Sequence, residues 1–550
     1  MSEVTGTAAS AEDRSSLRLL THHWRNMPAL AAMLVLVLPL MAVVLAALNG
    51  GGDGWRNVVE TKLFGSTLTT LGLLALSAAM MTLTAVPAAW LVTQYRFPGR
   101  GLFEWALILP LAAPAYVLAF AYKDLLNVAG PVQSAVRDLT GLGARDYWFP
   151  DIASLPGAAF VLSAALFPYV YLGARSSFVN QSVCTLDAAR LLGAGSKRRF
   201  LDVALPAARP AIAAGAALAL MEVAADYGAT SHLGVESLSV ALIVNWEGYN
   251  DPGPAARLSL VLLTLVFGLF YLERLLRGRA GVQATSSRWQ QVKRAPLSRW
   301  PALGAMLLCG TLVLLGFILP MARLVWIAVE TQIVPDDFTS ATRNSLLLAG
   351  MGTAACAILA IVTGFAMRRG GQLGRASRFA VSSGYAVPGS VLVLGAFAII
   401  AAAQHVGLID GRTVVVSLVG LVWVYASRFT AVGANAVDAA LARAPASFGH
   451  AARSLGAGPV KRIARVELPI ALSGLITGTL IMFVEILKEL PATLLLQPFD
   501  WETLAVRAYN YASDERLASA TLPSLLITAV GLVPVIILSR ALSLSRPGRH

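Results

Sequence analysis

The sequence predicts an all-α integral membrane protein with about twelve transmembrane helices, arranged in two pseudo-symmetric halves of six. Its composition is strongly apolar: 57% of the residues are hydrophobic, 13% are charged and the mean hydropathy is +0.68. Soluble domains average about 25% charged residues. Apolar runs of about 20 residues, the length that crosses a hydrocarbon core of ~30 Å, recur along the chain. A polar segment of the first half returns in the second half, which indicates a repeat.

Twelve apolar runs are candidate transmembrane helices, and they divide equally between the two halves of the chain. The first six lie at 29–49, 67–93, 102–122, 156–175, 208–228 and 257–276. The second six lie at 302–328, 344–367, 379–401, 412–430, 470–490 and 519–540.

The repeated segment is polar in an otherwise apolar chain. We call residues 187–206 the first polar loop and residues 450–469 the second polar loop. At an offset of 263 residues, eleven of their twenty positions are identical, among them Gly193 and Gly456. The offset is close to half of the 550 residues, so the chain is predicted to consist of two related halves.

Lysine and arginine predict the orientation, because these residues stay on the cytoplasmic side in short loops. Arg14, Arg18 and Arg25 precede the first apolar run, and both polar loops and the C-terminal end are basic as well. We therefore expect both termini in the cytoplasm. The net charge of +13 reflects this topology, and no basic domain indicates nucleic-acid binding. The predicted organisation is a cytoplasmic segment at 1–28, a first half at 29–277, a cytoplasmic linker at 278–300 and a second half at 301–550.

Each polar loop has features of a docking surface. Good helix formers at 188–192 precede Gly193, which we expect to end their turn, and Pro206 suits the start of the next membrane helix. Small side chains on the outer face of a short helix would let a groove of another protein approach closely. Two matching helices imply a partner with two matching grooves. The alternative is a basic helix that lies on the headgroups of membrane lipid.

The spacing in both polar loops resembles a known motif. An acidic residue, two alanines, a glycine, an aliphatic residue and Leu-Pro form the EAA loop of ABC-importer permeases, which in that family docks into a cleft of the ATPase subunit. The family has a glutamate at the first position, where this chain has Asp187 and His450. The resemblance implies the type I ABC-importer permease fold, and it assigns ATPase coupling to Asp187, Ala188, Ala189, Gly193, Leu205, Pro206, His450, Ala451, Ala452, Gly456, Leu468 and Pro469.

Further stretches resemble the fused, two-half permeases of ferric-iron importers, and the resemblance covers nearly the whole chain past residue 60. It implies a location in the bacterial inner membrane, two copies of an ABC ATPase subunit as partners, and a periplasmic or lipid-anchored substrate-binding protein. Related permeases keep thiamine, polyamines and phosphonates open as alternative substrates. The stretches are "ILPLAAPAYVLAFAY" (108–122), "FPYVYLGARSSF" (167–178), "ADYGATSHLG" (225–234) and "KELPATLLLQPFDWETLAVRAY" (488–509).

The sequence has no phosphate-binding loop of the form Gly-x-x-x-x-Gly-Lys-[Ser/Thr]. We therefore expect the chain to bind no cofactor itself and to use ATP and Mg held by the partner ATPase. From another class, a secondary transporter is an alternative, since such proteins are often built from two repeats. It would have no use for two docking loops. A membrane enzyme is disfavoured, because no loop holds a cluster of histidine, cysteine or nucleophilic residues.

Four acidic residues are candidates for a substrate path, because charges inside membrane helices are costly and are functional by default. Glu222 and Asp226 are four residues apart, so we expect them to share a helix face. The offset of 263 maps them onto Glu485 and Glu489. If the halves face each other, the four carboxyl groups converge, and hard cations such as ferric iron prefer oxygen ligands. Alternatively, Lys488 neutralises Glu485 or Glu489, and Asp226 and Glu489 lie at the outer water boundary.

Pro114 and Pro388 lie in matching predicted helices. Proline removes a backbone hydrogen bond, so each residue can kink its helix or break it where a cavity needs polar backbone groups. We expect kinks in packed helices.

Overall fold

A computed structural model of the protein describes residues 26–49, 53–180, 189–249, 252–277, 294–368, 371–409, 414–443, 448, 451–452 and 454–544. Most of the predicted segment 1–28 and of the predicted linker 278–300 therefore lies outside the described residues. The helices of the first half are α1 (Met27–Asn49), α2 (Asp53–Gln94), α3 (Arg100–Ala106), α4 (Ala115–Leu126), α5 (Pro131–Thr140), α6 (Leu155–Asn180), α7 (Leu205–Ala225), α8 (Gly228–His232), α9 (Leu238–Tyr249) and α10 (Pro252–Arg277).

Two very short strands, β1 (Tyr95–Arg96) in the first half and β2 (Ala295–Pro296) at the end of the linker, pair in parallel.

The second half repeats the helical architecture of the first half. The helices of the second half are α11 (Arg299–Thr331), α12 (Phe338–Met367), α13 (Gly371–Ala386), α14 (Gly389–His405), α15 (Val414–Arg443), α16 (Leu468–Leu487), α17 (Pro491–Leu496), α18 (Leu504–Ser513) and α19 (Leu517–Leu544).

The predicted all-α membrane fold is confirmed. Among the described residues, ten helices are long and apolar enough to cross a membrane, and the number is twelve if each of two bent pairs counts as one span. These twelve follow the twelve predicted runs in order. The bent pairs are Arg100–Ala112 with Ala115–Thr140, and α13 with α14.

The predicted kinks at Pro114 and Pro388 are breaks. The helical segments before and after Pro114 meet at 93°, and those around Pro388 meet at 108°. Ala113 is extended, with φ −98° and ψ 134°, as expected for a residue before proline. Because neither the preceding residue nor the proline continues the helix, a new helix begins after each proline.

Four short helices were not predicted, because they are too short to resemble membrane spans. α8, α9, α17 and α18 have 5, 12, 6 and 10 residues, whereas a span needs about 20. These residues lie between the predicted apolar runs or at their ends. In α9, Leu238, Leu242 and Ile243 are buried, so this segment is part of the packed structure.

The chain divides into two compact units, and each contains parts of both sequence halves. The first unit comprises residues up to Ala42, Leu348–Val387 and Gly395–Ile486. In this unit, Leu36 of α1 belongs to a buried apolar cluster with residues of α12, α13, α15 and α16. The indole Nε1 of Trp423 donates a hydrogen bond to the carbonyl oxygen of Val35 at 2.7 Å. The first helix of the first half therefore packs on helices of the second half.

The second unit comprises Val43–Leu347, Pro388–Leu394 and the chain from Leu487. Here α11, the first helix of the second half, packs on helices of the first half. The Tyr122 hydroxyl donates a hydrogen bond to the carbonyl oxygen of Leu315 at 2.5 Å. Arg323 forms an ion pair with Asp124 at 2.5 Å. The two halves thus exchange their first helices.

The helices before and after each polar loop cross at small residues. A Cβ atom added at Gly215 in α7 would lie 2.5 Å from the carbonyl oxygen of Tyr169 in α6. In the second half, a Cβ atom added at Gly474 in α16 would lie 2.4 Å from the carbonyl oxygen of Ala436 in α15. Small residues allow backbones of membrane helices to approach this closely. Each polar loop therefore joins two tightly packed helices.

Candidate functional site

The two polar loops share the same local backbone around their first glycine. Gly193 and Gly456 have φ values of +81° and +75°. The N–H of the next residue closes the turn in both loops: Ala194 donates to the carbonyl oxygen of Ala189, and Ala457 to that of Ala452, both at 2.9 Å. This bond is part of the motif with which glycine ends a helix. The expectation that Gly193 stops its turn is confirmed.

The loops also match beyond the glycine. Arg199 donates its N–H to the carbonyl oxygen of Gly195, and Arg462 donates to that of Gly458, both at 3.0 Å. A short helical turn and a π-helical segment follow in each loop, at Arg199–Ala204 and Ile463–Glu467. The hydrogen-bonded residues of the two loops are 263 residues apart, and the two π-helical segments overlap at this offset, so the sequence repeat is also a repeat of conformation.

Pro206 lies in the first turn of α7, which begins at Leu205, as the sequence predicted. A short helical turn and a π-helical segment precede α7 without a break, so the whole helical segment runs from Ser196 to Ala225. Proline has no N–H and clashes with the carbonyl group four residues earlier, so the preceding turn must widen. In this wider turn, the N–H of Leu205 bonds to the carbonyl oxygen of Phe200. Leu468, which precedes Pro469, bonds in the same way to Ile463.

The predicted coupling residues are described in part. Asp187, Ala188 and His450 lie outside the described residues. Ala189 is half-buried, Ala451 is exposed and Ala452 is buried, while Leu205 and Leu468 are half-buried at the junction with the membrane helix. At Gly193 and Gly456, an added Cβ atom would meet no atom within 4 Å, so both glycines face open space.

Three leucines of the polar loops are exposed, which was not predicted from the sequence. Small residues were expected on the outer face, but Leu191, Leu192 and Leu455 have exposed fractions of 89%, 87% and 87%. Leu192 and Leu455 are identical residues at equivalent positions of the repeat. This identity was the feature of the sequence that could have marked them as candidate contact residues. Exposed leucines at equivalent places of two loops indicate apolar contact with another molecule.

The four candidate acids fall into two structural pairs. Glu222 and Glu485 lie in α7 and α16 near their ends, and both are half-buried. Asp226 and Glu489 lie beyond these helices, which end at Ala225 and Leu487. The expectation that Glu222 and Asp226 share a helix face is therefore wrong, because Asp226 has an extended backbone, with φ −67° and ψ 128°.

Asp226 and Glu489 hold the helices that follow them. An Oδ1 atom of Asp226 accepts a hydrogen bond from the N–H of Thr230 at 2.9 Å, and an Oε2 atom of Glu489 accepts one from the N–H of Thr493 at 3.1 Å. Each threonine hydroxyl donates to the carbonyl oxygen of the same acid at 2.9 Å. These acceptors satisfy N–H groups that have no partner inside a first helical turn.

The two helix breaks at 226–227 and 488–490 lie close together in the second compact unit. A Cβ atom added at Gly228 would lie 2.7 Å from Cδ2 of Leu490 and 2.8 Å from Cβ of Tyr116. The hydroxyl of Tyr509 lies 3.2 Å from the hydroxyl of Tyr227 and 3.0 Å from Oγ of Ser231. Lys488 donates a hydrogen bond to the carbonyl oxygen of Leu111 at 3.4 Å. Polar groups from both halves therefore meet around these interrupted helices.

Two repeated halves of membrane helices, a matching polar loop in each half and a helix break at the far end of the membrane helix that follows each loop define a transport permease. The chain belongs to the family of binding-protein-dependent transport system inner membrane components, whose profile matches residues 83–281 and 356–545. It is accordingly a multi-pass protein of the inner membrane. Permeases of this family work with an ATPase and a substrate-binding protein.

The chain is similar to curated relatives of full and of half length. It is 24% identical to the Fe(3+)-transport system permease protein FbpB 2 of Haemophilus influenzae, over 94% of this chain and 98% of the relative. It is 23% identical to the probable ABC transporter permease protein y4fN of Sinorhizobium fredii, over 94% and 95%. The chain is 25% identical to the putative 2-aminoethylphosphonate transport system permease protein PhnU of Salmonella paratyphi A. That match extends over 96% of the relative but only 50% of this chain, so the relative has the length of one half. The chain is therefore a fused permease of two halves.

Proposed function

We propose that this chain is the transmembrane subunit of an ATP-driven importer of ferric iron. The repeated conformation of the two polar loops carries the proposal of two ATPase contacts. The substrate is proposed from the similarity to the Fe(3+)-transport permease of Haemophilus influenzae, which extends over nearly the full length of both chains.

The proposed complex contains two copies of an ATPase subunit, one at residues 187–206 and one at residues 450–469. ATP and Mg are bound and used on these subunits. A periplasmic or lipid-anchored binding protein delivers the substrate on the opposite side, and membrane lipid surrounds the helices. The basic residues of the polar loops and of both chain ends support a cytoplasmic position for them.

The continuous helices behind the polar loops supply a way to transmit force. The helix from Ser196 extends without interruption to Ala225, and the corresponding helix extends from Ile463 to Leu487. A displacement of either loop by the ATPase therefore moves the whole membrane helix as a rod. The rod ends at a helix break, where the chain can change direction.

We assign Glu222 and Glu485 to the substrate path. Each lies sixteen residues beyond the proline of its polar loop, which at ~1.5 Å per residue places it roughly 24 Å along the helix, within the outer part of a ~30 Å core. A carboxylate at this depth is costly unless it faces water, a cation or a partner. Asp226 and Glu489 hold the helix breaks at the outer end of this path.

The assigned function predicts that deletion of the chain abolishes uptake of radiolabelled ferric iron into cells while uptake of thiamine, spermidine and 2-aminoethylphosphonate continues. The measurement compares the four compounds in deleted and complemented cells. Loss of uptake of one of the other compounds, with iron uptake intact, would replace iron as the substrate. Iron uptake that survives ATP depletion and stops when the proton gradient is dissipated would indicate a secondary transporter.

Changing Glu222→Gln and Glu485→Gln together should lower iron uptake about tenfold or more. A tenfold loss corresponds to about 1.4 kcal/mol less favourable interaction between the cation and the substrate path. Glutamine keeps the shape of the side chain but removes the negative charge that attracts a cation. Uptake, protein level and ATPase binding are measured in the same cells. The matched control changes two exposed acids, Glu236→Gln and Glu515→Gln, and should leave uptake unchanged. Normal uptake by the first double variant would show that the two acids have a structural role.

A further inference from the structure

The first polar loop is attached to the linker that joins the two halves. The hydroxyl of Tyr95 forms a hydrogen bond with Oγ of Ser196, the residue at which the helix leading into α7 begins. Tyr95 belongs to β1, and β1 pairs with β2 at the end of the linker, with Tyr95 opposite Ala295. The side chain of Tyr95 therefore connects the loop to the linker strand.

Two further hydrogen bonds, one just before and one just after the linker strand, hold it against the segment that contains β1, and the strand leads directly into the second half. Arg294 donates a hydrogen bond from Nε to the carbonyl oxygen of Thr93 at 3.2 Å. The N–H of Leu297 donates to the carbonyl oxygen of Arg96 at 3.1 Å. α11 begins two residues later, at Arg299. Only a few residues therefore separate the strand that pairs with Tyr95 from α11, so a displacement of Tyr95 can be transmitted to the first helix of the second half.

An aromatic cluster fixes the position of the same loop. The ring of Trp90, near the end of α2, lies 5.2 Å from that of Phe178 in α6 and 5.3 Å from that of Phe200 in the loop. The ring of Tyr95 packs at 6.4 Å on the edge of Trp90. Trp90 and Phe178 are buried, so the cluster is a rigid base for the hydroxyl of Tyr95.

The second polar loop cannot form the same attachment. At the offset of 263 residues, Pro459 corresponds to Ser196, Ile463 to Phe200 and Leu441 to Phe178. Proline has no hydroxyl group, and the two aliphatic residues remove the aromatic contacts. The repeat is therefore broken at the residues that attach the first loop.

We propose that Tyr95 is a positioning residue that joins the first polar loop to the linker strand, so that movement of this loop displaces α11 together with α7. The inference rests on the proposed coupling of the polar loops to an ATPase. It makes the two loops unequal: the first moves a helix of each half, and the second acts on α16. The hydrogen bond between the Tyr95 and Ser196 hydroxyl groups is the link that can be removed without disturbing the helix itself.

The test uses the complete complex of permease, ATPase and binding protein, and it measures iron taken up per ATP hydrolysed. Tyr95→Phe keeps the ring on Trp90 and removes the hydroxyl, and Ser196→Ala removes its partner. Each variant should lower the ratio about fivefold, the factor that corresponds to the ~1 kcal/mol of one hydrogen bond. Ser196→Thr keeps a hydroxyl and should retain the ratio. Tyr271→Phe, which removes an exposed hydroxyl from α10, is the matched control.

Three results separate this inference from the proposed function. If the wild-type chain binds no ATPase, the proposed function fails, and the inference with it. If the wild-type chain binds ATPase and takes up iron, but Tyr95→Phe and Ser196→Ala leave the ratio unchanged, the inference alone is overturned. The double variant should be no worse than either single variant, because both remove the same bond. Additive losses would show that the two residues act separately and would also overturn it.

Discussion

Replacing Gly193 and Gly456 together with valine should abolish ATPase association and reduce iron uptake at least about tenfold. Both residues have a positive φ, which costs roughly 1–2 kcal/mol for a residue with a Cβ atom and is least tolerated by a β-branched side chain. The turn that carries the exposed leucines would rearrange in both loops. The new side chains would also project into open space, where we expect the ATPase to approach. Association is measured by co-purification of the ATPase, and insertion by the amount of permease in the membrane.

The same loops offer a control that separates backbone strain from added bulk. Gly195 also faces open space but has a φ of −61°, which valine adopts without strain. Gly195→Val with Gly458→Val at the equivalent position should therefore retain most of the association. If the Gly195→Val and Gly458→Val variant also fails to bind the ATPase, the added side-chain volume alone is enough to block docking. Unchanged co-purification of the Gly193 and Gly456 double variant would remove the polar loops from the docking role.

The conformation of the polar loops could be predicted only where a residue type fixes the backbone. Gly193 ends its helical turn as expected, because glycine adopts a positive φ at little cost. Pro206 lies in the first turn of α7 as expected, because proline suits that position. The π-helical segment that joins α7 to the residues before it was not predicted, because its widened turn depends on how those residues fold. Leu192 and Leu455 were identical in the repeat, but exposure is a property of the folded chain.

Gly215→Val should prevent accumulation of folded permease. The added Cβ atom would lie 2.5 Å from the carbonyl oxygen of Tyr169, and a backbone atom cannot move aside as a side chain can. Overpacking typically costs about 1–3 kcal/mol even where side chains can adjust, and here α6 and α7 must separate. The measurement is the fraction of permease that elutes as a single monodisperse species after extraction, together with its Tm.

A matched glycine lies in a neighbouring helix. Gly268 in α10 has no atom within 4 Å of an added Cβ, so Gly268→Val should leave the elution profile and the Tm nearly unchanged. Gly474→Val should reproduce the defect in the second half, because its Cβ would lie 2.4 Å from the carbonyl oxygen of Ala436. A normal profile for Gly215→Val would show that α6 and α7 can separate without loss of the fold.

The long helices were predictable and the short ones were not, for a physical reason. Runs of about 20 apolar residues have few alternatives in a bilayer, so the twelve predicted runs match the observed spans. α8 and α17 are held at their starts by Asp226 and Glu489, whose carboxylates accept backbone hydrogen bonds. The sequence presented these acids as membrane charges four residues beyond Glu222 and Glu485. Asp226 and Glu489 do not share a helix face with Glu222 and Glu485, because the preceding helices end before them, at Ala225 and Leu487. The sequence alone did not show where these helices end.

Because the halves exchange their first helices, α1 is synthesised long before the helices on which it packs. α1 packs in the unit that contains residues 348–387 and 395–486, so roughly 300 residues separate its last residue in that unit from the first of these partners. At about 5–20 residues per second, the ribosome needs about 15–60 s to make them. During this interval α1 lies in the bilayer without these partners. The most apolar 18-residue stretch of α1 has a mean hydropathy of 2.8, the highest value among the ten described spans, and α1 contains no charged residue, so the lipid itself can shelter it until the second half is made.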